Sequence, residues 1–174
     1  MKNLCLALAL LLALAGCDRG KPAPQPVELK HFPLDSMEGV RATTGVLLDP
    51  AVSSDGKGSL RIDAKEAMTV PLFEVTGGDL DNSTLLYQAS VQSEKLDGKA
   101  YLEMWVRFPG KGEFFSRGLD QTVTGSMSWK TMTIPFFLKS GERPDLIRLN
   151  LVVNGKGRVW IDDIRLLRAP LPGR

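Results

Sequence analysis

The 174-residue chain has two cysteines and a single histidine, His31. Both cysteines, Cys5 and Cys17, lie at the N-terminal end. No pair remains further along to form a disulfide, so a folded domain there must hold itself together by its core alone. No two cysteines or histidines have the spacing of a zinc site. His31 falls near the start of the chain, close to a proline-rich stretch, so a Ser-His-Asp or Cys-His arrangement cannot be built in a core. There is no Gly-x-x-x-x-Gly-Lys-Ser/Thr loop for phosphates. The Glu-x-Asp-x-x-Glu spacing of some sandwich glycosidases is also missing, which argues against a hydrolase using paired carboxylates. Charge is nearly balanced: the formal net charge is +2, and it falls to +1 once Lys2 is removed with the leader. Nothing in that balance favours nucleic acid or a strongly charged polymer.

Long apolar runs are scarce too. The one present, Leu4 to Ala15, has 12 residues and follows the positive Lys2. It is shorter than the ~20 residues a spanning helix needs. It ends in Leu14-Ala15-Gly16-Cys17, small residues directly before a cysteine. That ending resembles a bacterial lipobox. The resemblance implies a lipoprotein signal peptide over 1–16, cleaved before Cys17, and acylation of Cys17. Several acyl chains on one residue give stable attachment, because each buried methylene contributes ~0.8 kcal/mol. Asp18 follows the cysteine, and in some Gram-negative bacteria an aspartate there keeps a lipoprotein in the inner membrane. The expected address is therefore the cell envelope, at the periplasmic face of the inner membrane. Residues 17–26 carry the lipid and a tether with prolines at 22, 24 and 26. Extended at ~3.1 Å per residue, its nine residues after the cysteine span roughly 30 Å.

Helical periodicity is weak in 27–169, the length of one ordinary domain. Short alternating runs are separated by Gly, Pro, Asp and Asn, the pattern of an all-β sandwich or barrel. Expected strands include 29–34, 46–48, 59–64, 68–75 and 84–92. Further ones are 100–108, 121–124, 129–138, 145–153 and a closing strand after Gly157. Asp97-Gly98 reads as a hairpin, and Asn154-Gly155 as the turn into the closing strand. In that strand Val159 and Ile161 alternate with Trp160 and Asp162, and then the phase slips by one at Asp162-Asp163. Such a slip predicts a β-bulge. Residues 170–174 form a short tail.

Three segments carry a resemblance to a known family. Gly157-Arg-Val-Trp-Ile-Asp-Asp-Ile-Arg-Leu166 resembles the closing strand of galactose-binding-like jelly rolls, as in carbohydrate-binding modules of the CenC type. Gly56-Lys-Gly-Ser-Leu-Arg-Ile62 resembles their glycine turn and following strand, and Trp129 to Ile134 their tryptophan-led strand. The resemblance covers about 34–168. It implies a jelly-roll β-sandwich of two antiparallel sheets and a non-catalytic, carbohydrate-binding role at the envelope, with a glycan or polysaccharide as partner. It also implies a structural calcium ion, with Asp35 and Asp162 or Asp163 in the matching places. Aspartate at 35 departs from the family's usual glutamate and is one methylene shorter. Without an ion, Asp162 and Asp163 would pin the bulge by hydrogen bonds to backbone.

The clearest candidate surface comes from strand period alone. Leu102, Met104, Val106 and Phe108 share one face of 100–108, so Tyr101, Glu103, Trp105 and Arg107 share the other. Aromatic rings beside arginine and carboxylate suit sugars, whose faces are apolar and whose rims are hydroxylated. Arg148 and Asn150 extend this surface from the neighbouring strand. The bland alternative is an ordinary sheet face with Glu103 solvated, on an envelope scaffold that binds another protein and no sugar.

Overall fold

The computed structural model describes residues 25–172. The expectations for Cys17, the signal peptide and most of the tether lie outside the described residues. Within them the chain forms strands β1 (Val27–Phe32), β2 (Val46–Asp49), β3 (Ser59–Ala64) and β4 (Met68–Thr76). Then follow β5 (Ser83–Phe108), β6 (Gly112–Arg117), β7 (Val123–Leu138) and β8 (Leu146–Ala169). All pairings are antiparallel.

The fold is a β-sandwich of jelly-roll type, and its two layers are halves of one hydrogen-bonded sheet. β5 and β8 are long and pair along their whole lengths, from Thr84 with Ala169 to Arg107 with Leu146. Layer I holds β4, β6 and the 99–108 and 146–154 ends of the long strands. Layer II holds β1, β2, β3, most of β7, and the remaining parts of β5 and β8.

The hairpins expected at Asp97-Gly98 and Asn154-Gly155 are not chain reversals. Gly98 and Gly155 face each other on one rung of the ladder, and both strands bend there to pass from layer to layer. Their φ angles are 124° and 151°, in the positive half of the map that glycine tolerates. A Cβ on Gly155 would stand 1.8 Å from the Asp97 carbonyl oxygen, and one on Gly98 2.1 Å from that of Asn154. The two strands can cross the corner only because neither carries a side chain. Other boundaries move as well. β1 ends at Phe32, and Leu34, expected inside it, has a φ of 64°. The runs 121–124 and 129–138 merge into β7, and the irregular stretch after Gly112 is the edge strand β6.

The core lies between the layers. Leu102, Met104, Leu149 and Leu151 of layer I meet Leu60, Ile62, Leu85, Tyr87 and Ile161 of layer II, all fully buried. Alternation therefore decides each strand's inner face, and two bulges correct its phase. One follows Pro71, where Leu72 and Phe73 are both buried. The other is the expected one: the ladder runs from Ser90–Asp162 to Gln88–Arg165, and Asp163 has a φ of 48°. Asp162 accepts a hydrogen bond from the Asp163 backbone N–H at 2.8 Å, which pins that bulge.

Candidate functional site

The outer face of layer I is built in rows across four strands. Phe115 of β6 lies beside Trp105 of β5, then Arg148 of β8 and Glu74 of β4. The next row is Arg117, Glu103, Asn150 and Pro71. Arg107 stands between Glu113 and Leu146, and Tyr101 beside Val152. The structure thus brings Tyr101, Glu103, Trp105, Arg107, Arg148 and Asn150 onto one face.

Glu103 is the hub of this face, and it is not solvated: the residue is 3% exposed. It accepts from Trp105 Nε1 at 2.7 Å, from Asn150 Nδ2 at 3.1 Å and from Arg117 Nε at 2.6 Å. Burial pushes its carboxyl upward. The bonds from Arg117, Trp105 and Asn150 outweigh that and hold it below the usual range, so it stays ionised. Tyr101 and Asn150 are also buried, Trp105 and Arg148 are half-buried, and Arg107 is exposed. A buried acceptor that fixes the indole N–H leaves the tryptophan ring little freedom.

The ring has company that strand period could not reveal. Trp105 and Phe115 have centroids 5.1 Å apart at 48°, and Phe115 is 51% exposed. The Arg117 guanidinium lies 4.4 Å over the Phe115 ring, a cation–π contact. Phe115 and Arg117 join the site only through the β5–β6 register, which no local pattern encodes. The other cations are matched by acids: Arg148 with Glu113, and Arg107 with Asp145 at 2.9 Å. The face combines a fixed aromatic surface with oriented donors and acceptors and no large excess of charge.

The three aspartates suggested for calcium are not assembled into one donor set. Asp162 is fully buried, with one oxygen accepting from the Ser54 N–H and hydroxyl, both at 2.7 Å, and the other from Asp163 N–H. Asp163 faces His31 at 2.6 Å and Arg165 at 3.0 Å. Asp35 is exposed on a separate loop. Among the described residues no three histidine, cysteine or acidic side chains group as metal ligands. In this structure Asp162 holds the bulge and the 50–58 loop, and Asp163 is paired with His31 and Arg165.

No protein-family model matches the chain, and no curated protein sequence matches it. Solved structures do resemble it. A xylan-binding module of family 22 from Paenibacillus barcinonensis Xyn10C superposes with a TM-score of 0.55 at 15% identity, over 86% of this chain and 99% of that one. A family 16 carbohydrate-binding module gives 0.54 at 11% identity, over 75% and 91%. The Clostridium thermocellum xylanase 10B pair of a family 22 module and its GH10 module, solved with xylohexaose, gives 0.58 at 10% identity, over 86% and 30%. The chain has the β-sandwich fold of these carbohydrate-binding modules.

Proposed function

We propose that the protein is a non-catalytic glycan-binding module, held at the cell envelope through a lipid on Cys17, and that the outer face of layer I takes the sugar. The observation that carries this reading is the pair Trp105 and Phe115, a partly open aromatic surface locked by the buried Glu103. Sugar rings stack on such surfaces by their apolar faces, while Arg148 and Arg117 supply hydrogen bonds to hydroxyls. The sandwich fold, shared with carbohydrate-binding modules, supports the same reading. Glu103, the acid at the centre of this face, is not set up as a general acid. A general acid must be protonated near its working pH, and this carboxylate is held ionised by three donors.

A neutral-glycan array probed with the purified protein tests the proposal. Binding should appear, and Trp105→Ala should weaken it at least tenfold, or ~1.4 kcal/mol, with the far-ultraviolet spectrum unchanged. Absence of binding to every glycan at millimolar concentration would overturn it. The anchor has its own readout: Cys17→Ser should abolish metabolic acyl labelling and membrane retention. A scaffold role has one observation in its favour, the exposed Phe114 and Phe115 on edge strand β6. A protein partner captured through Phe115 with no glycan bound would select that role.

A further inference from the structure

The outer face of layer II also carries a row that crosses the sheet. Arg61 of β3 pairs with Trp160 of β8, which pairs with Gln92 of β5. On β7 the ladder jumps from Met127, opposite Ser93, to Lys130, opposite Val91. Ser128 and Trp129 therefore both oppose Gln92, a bulge that re-aims side chains. A trough of about 500 Å³ opens here, with Gln92, Glu94, Met127, Ser128, Arg158 and Trp160 among its lining. A second hollow of about 380 Å³ adjoins it, sharing Glu94 and Arg158 and reaching Asp63, Lys65 and Lys95. Each is within the ~300–1,000 Å³ range of ligand pockets.

The trough is held rigid from beneath. Trp160 is 5% exposed, and its Nε1 donates to Asp49 Oδ2 at 2.9 Å. Arg158 lies 5.6 Å over the indole ring. Its Nε donates to Asp63 at 2.8 Å and its Nη1 to Glu94 at 2.7 Å. The guanidinium is pinned flat against the floor, yet its side chain remains 43% exposed. Two polar side chains at the wall have no such duty. The Gln92 amide and the Ser128 hydroxyl make no hydrogen bond to any described residue.

We infer that this trough is a second binding site, on the opposite layer from Trp105, for a neutral hydroxyl-rich oligosaccharide. Charge selects the class. In the trough itself Arg158 is matched by Asp63 and Glu94, and Arg61 by Asp49 and Asp63, and the two lysines, Lys65 and Lys95, stand in the adjoining hollow, so no uncompensated cation at the trough floor awaits a phosphate or an acidic chain. What remains to offer is an amide, a hydroxyl, a carboxylate edge and a planar guanidinium, flanked by Met127 and Val52. Hydroxyls both donate and accept, so they match Glu94 and the Gln92 amide together. With layers I and II each holding a chain, one molecule would bridge two strands of a glycan and gain by avidity on an insoluble polymer.

Backbone and indole amide shifts should be followed by nuclear magnetic resonance while xylohexaose, cellohexaose and mannohexaose are added in turn. At least one sugar should move Gln92, Glu94, Ser128 and the Trp160 indole N–H. Gln92→Ala should weaken that response roughly tenfold, equivalent to ~1.4 kcal/mol, without altering the response around Trp105. Trp105→Ala should do the reverse. If the trough signals stay fixed at millimolar levels of all three sugars, the second site does not exist, whether or not the Trp105 face responds. If Trp105→Ala silences both sets, one site explains everything and the inference is wrong. A response only at Trp105 would leave the proposed function standing and remove the trough.

Discussion

The two outer faces of the sandwich use the same parts in opposite orders. Each has a tryptophan whose indole N–H is held by a buried carboxylate: Trp105 by Glu103, and Trp160 by Asp49. Each has an arginine laid over an aromatic ring: Arg117 over Phe115, and Arg158 over Trp160. On layer I the carboxylate is at the centre of the sheet and the rings stand partly open. On layer II the tryptophan is the floor and the arginine is the lid. The difference follows from which strand lies beside which. β6 brings an exposed phenylalanine to Trp105, whereas β3 and β5 bring Asp63 and Glu94, which fix Arg158 across Trp160. A common set of residue types thus yields an aromatic surface on one side and a polar trough on the other.

The two faces are joined through the corner of β5 and β8, so the harshest way to break the comparison is to break that corner. Gly155→Ala places a Cβ 1.8 Å from a backbone oxygen, at a φ of 151°. Neither strand can yield without losing the rung it shares with the other. The expected cost is about 3 kcal/mol or more, at or beyond the upper end for overpacking, and both faces should lose their ligands together. Denaturant melts check this. A variant within ~0.5 kcal/mol of wild type, the usual spread for neutral surface changes, would mean that the corner is not a tight crossing.

The next test separates the faces. Glu103→Ala leaves the Trp105 N–H and Asn150 amide without their acceptor and Arg117 without its partner. A buried group stripped of its partner costs about 1–3 kcal/mol. Since Arg117 is 39% exposed, its share is reduced by solvent, and a total of about 2 kcal/mol is expected. Asp49→Ala removes the acceptor of the Trp160 indole N–H and of the Ala51 N–H at 3.1 Å, and one of the two carboxylates beside Arg61. About 1 kcal/mol is expected there, since Arg61 keeps Asp63 at 3.1 Å and Ala51 is exposed. Equal losses in thermal melts would contradict the view that only layer I is organised around its carboxylate.

Much of this was legible in sequence, for reasons that particular residues show. Alternation in 101–108 and 147–153 assigned inner and outer faces, because a strand with one buried face has a fixed phase. The slip at Asp162-Asp163 disclosed the bulge for the same reason. The corner was misread because Asp97-Gly98 and Asn154-Gly155 announce a positive φ and not a direction of travel. A turn and a bend both need it, and only the partner strand decides between them. The burial of Glu103 was invisible because its cover comes from Arg117 and Asn150, 14 and 47 residues away. Phe115 escaped for the same reason, since edge strand β6 has too little alternation to declare a face.

The finest test uses two buried carboxylates whose ionisation is pulled in opposite directions. Burial pushes the Glu103 carboxyl up, and its three hydrogen bonds more than reverse this, so its folded value lies below its unfolded one. Its stabilisation is complete above the unfolded value of ~4.3 and is lost as pH falls through the lower folded value. Asp162 is the mirror case. Burial raises it, and the bonds from Ser54 and Asp163 compensate only in part. Below its unfolded value of ~3.9 both states are protonated and nothing is lost. As pH rises from there through the raised folded value, the unfolded chain ionises first and stability declines. The stability difference between wild type and Glu103→Gln should therefore grow as pH rises toward ~4.3 and level off above it. In wild type, the Asp162 side-chain carboxyl carbon should titrate above ~3.9, the value for a free aspartate. A difference curve that is flat throughout the acid range, or that falls with rising pH, would show that Glu103 is not held ionised by its three donors. The Trp105 indole N–H would then be held by a neutral acceptor, and layer I would lose the charged hub at the centre of its sheet.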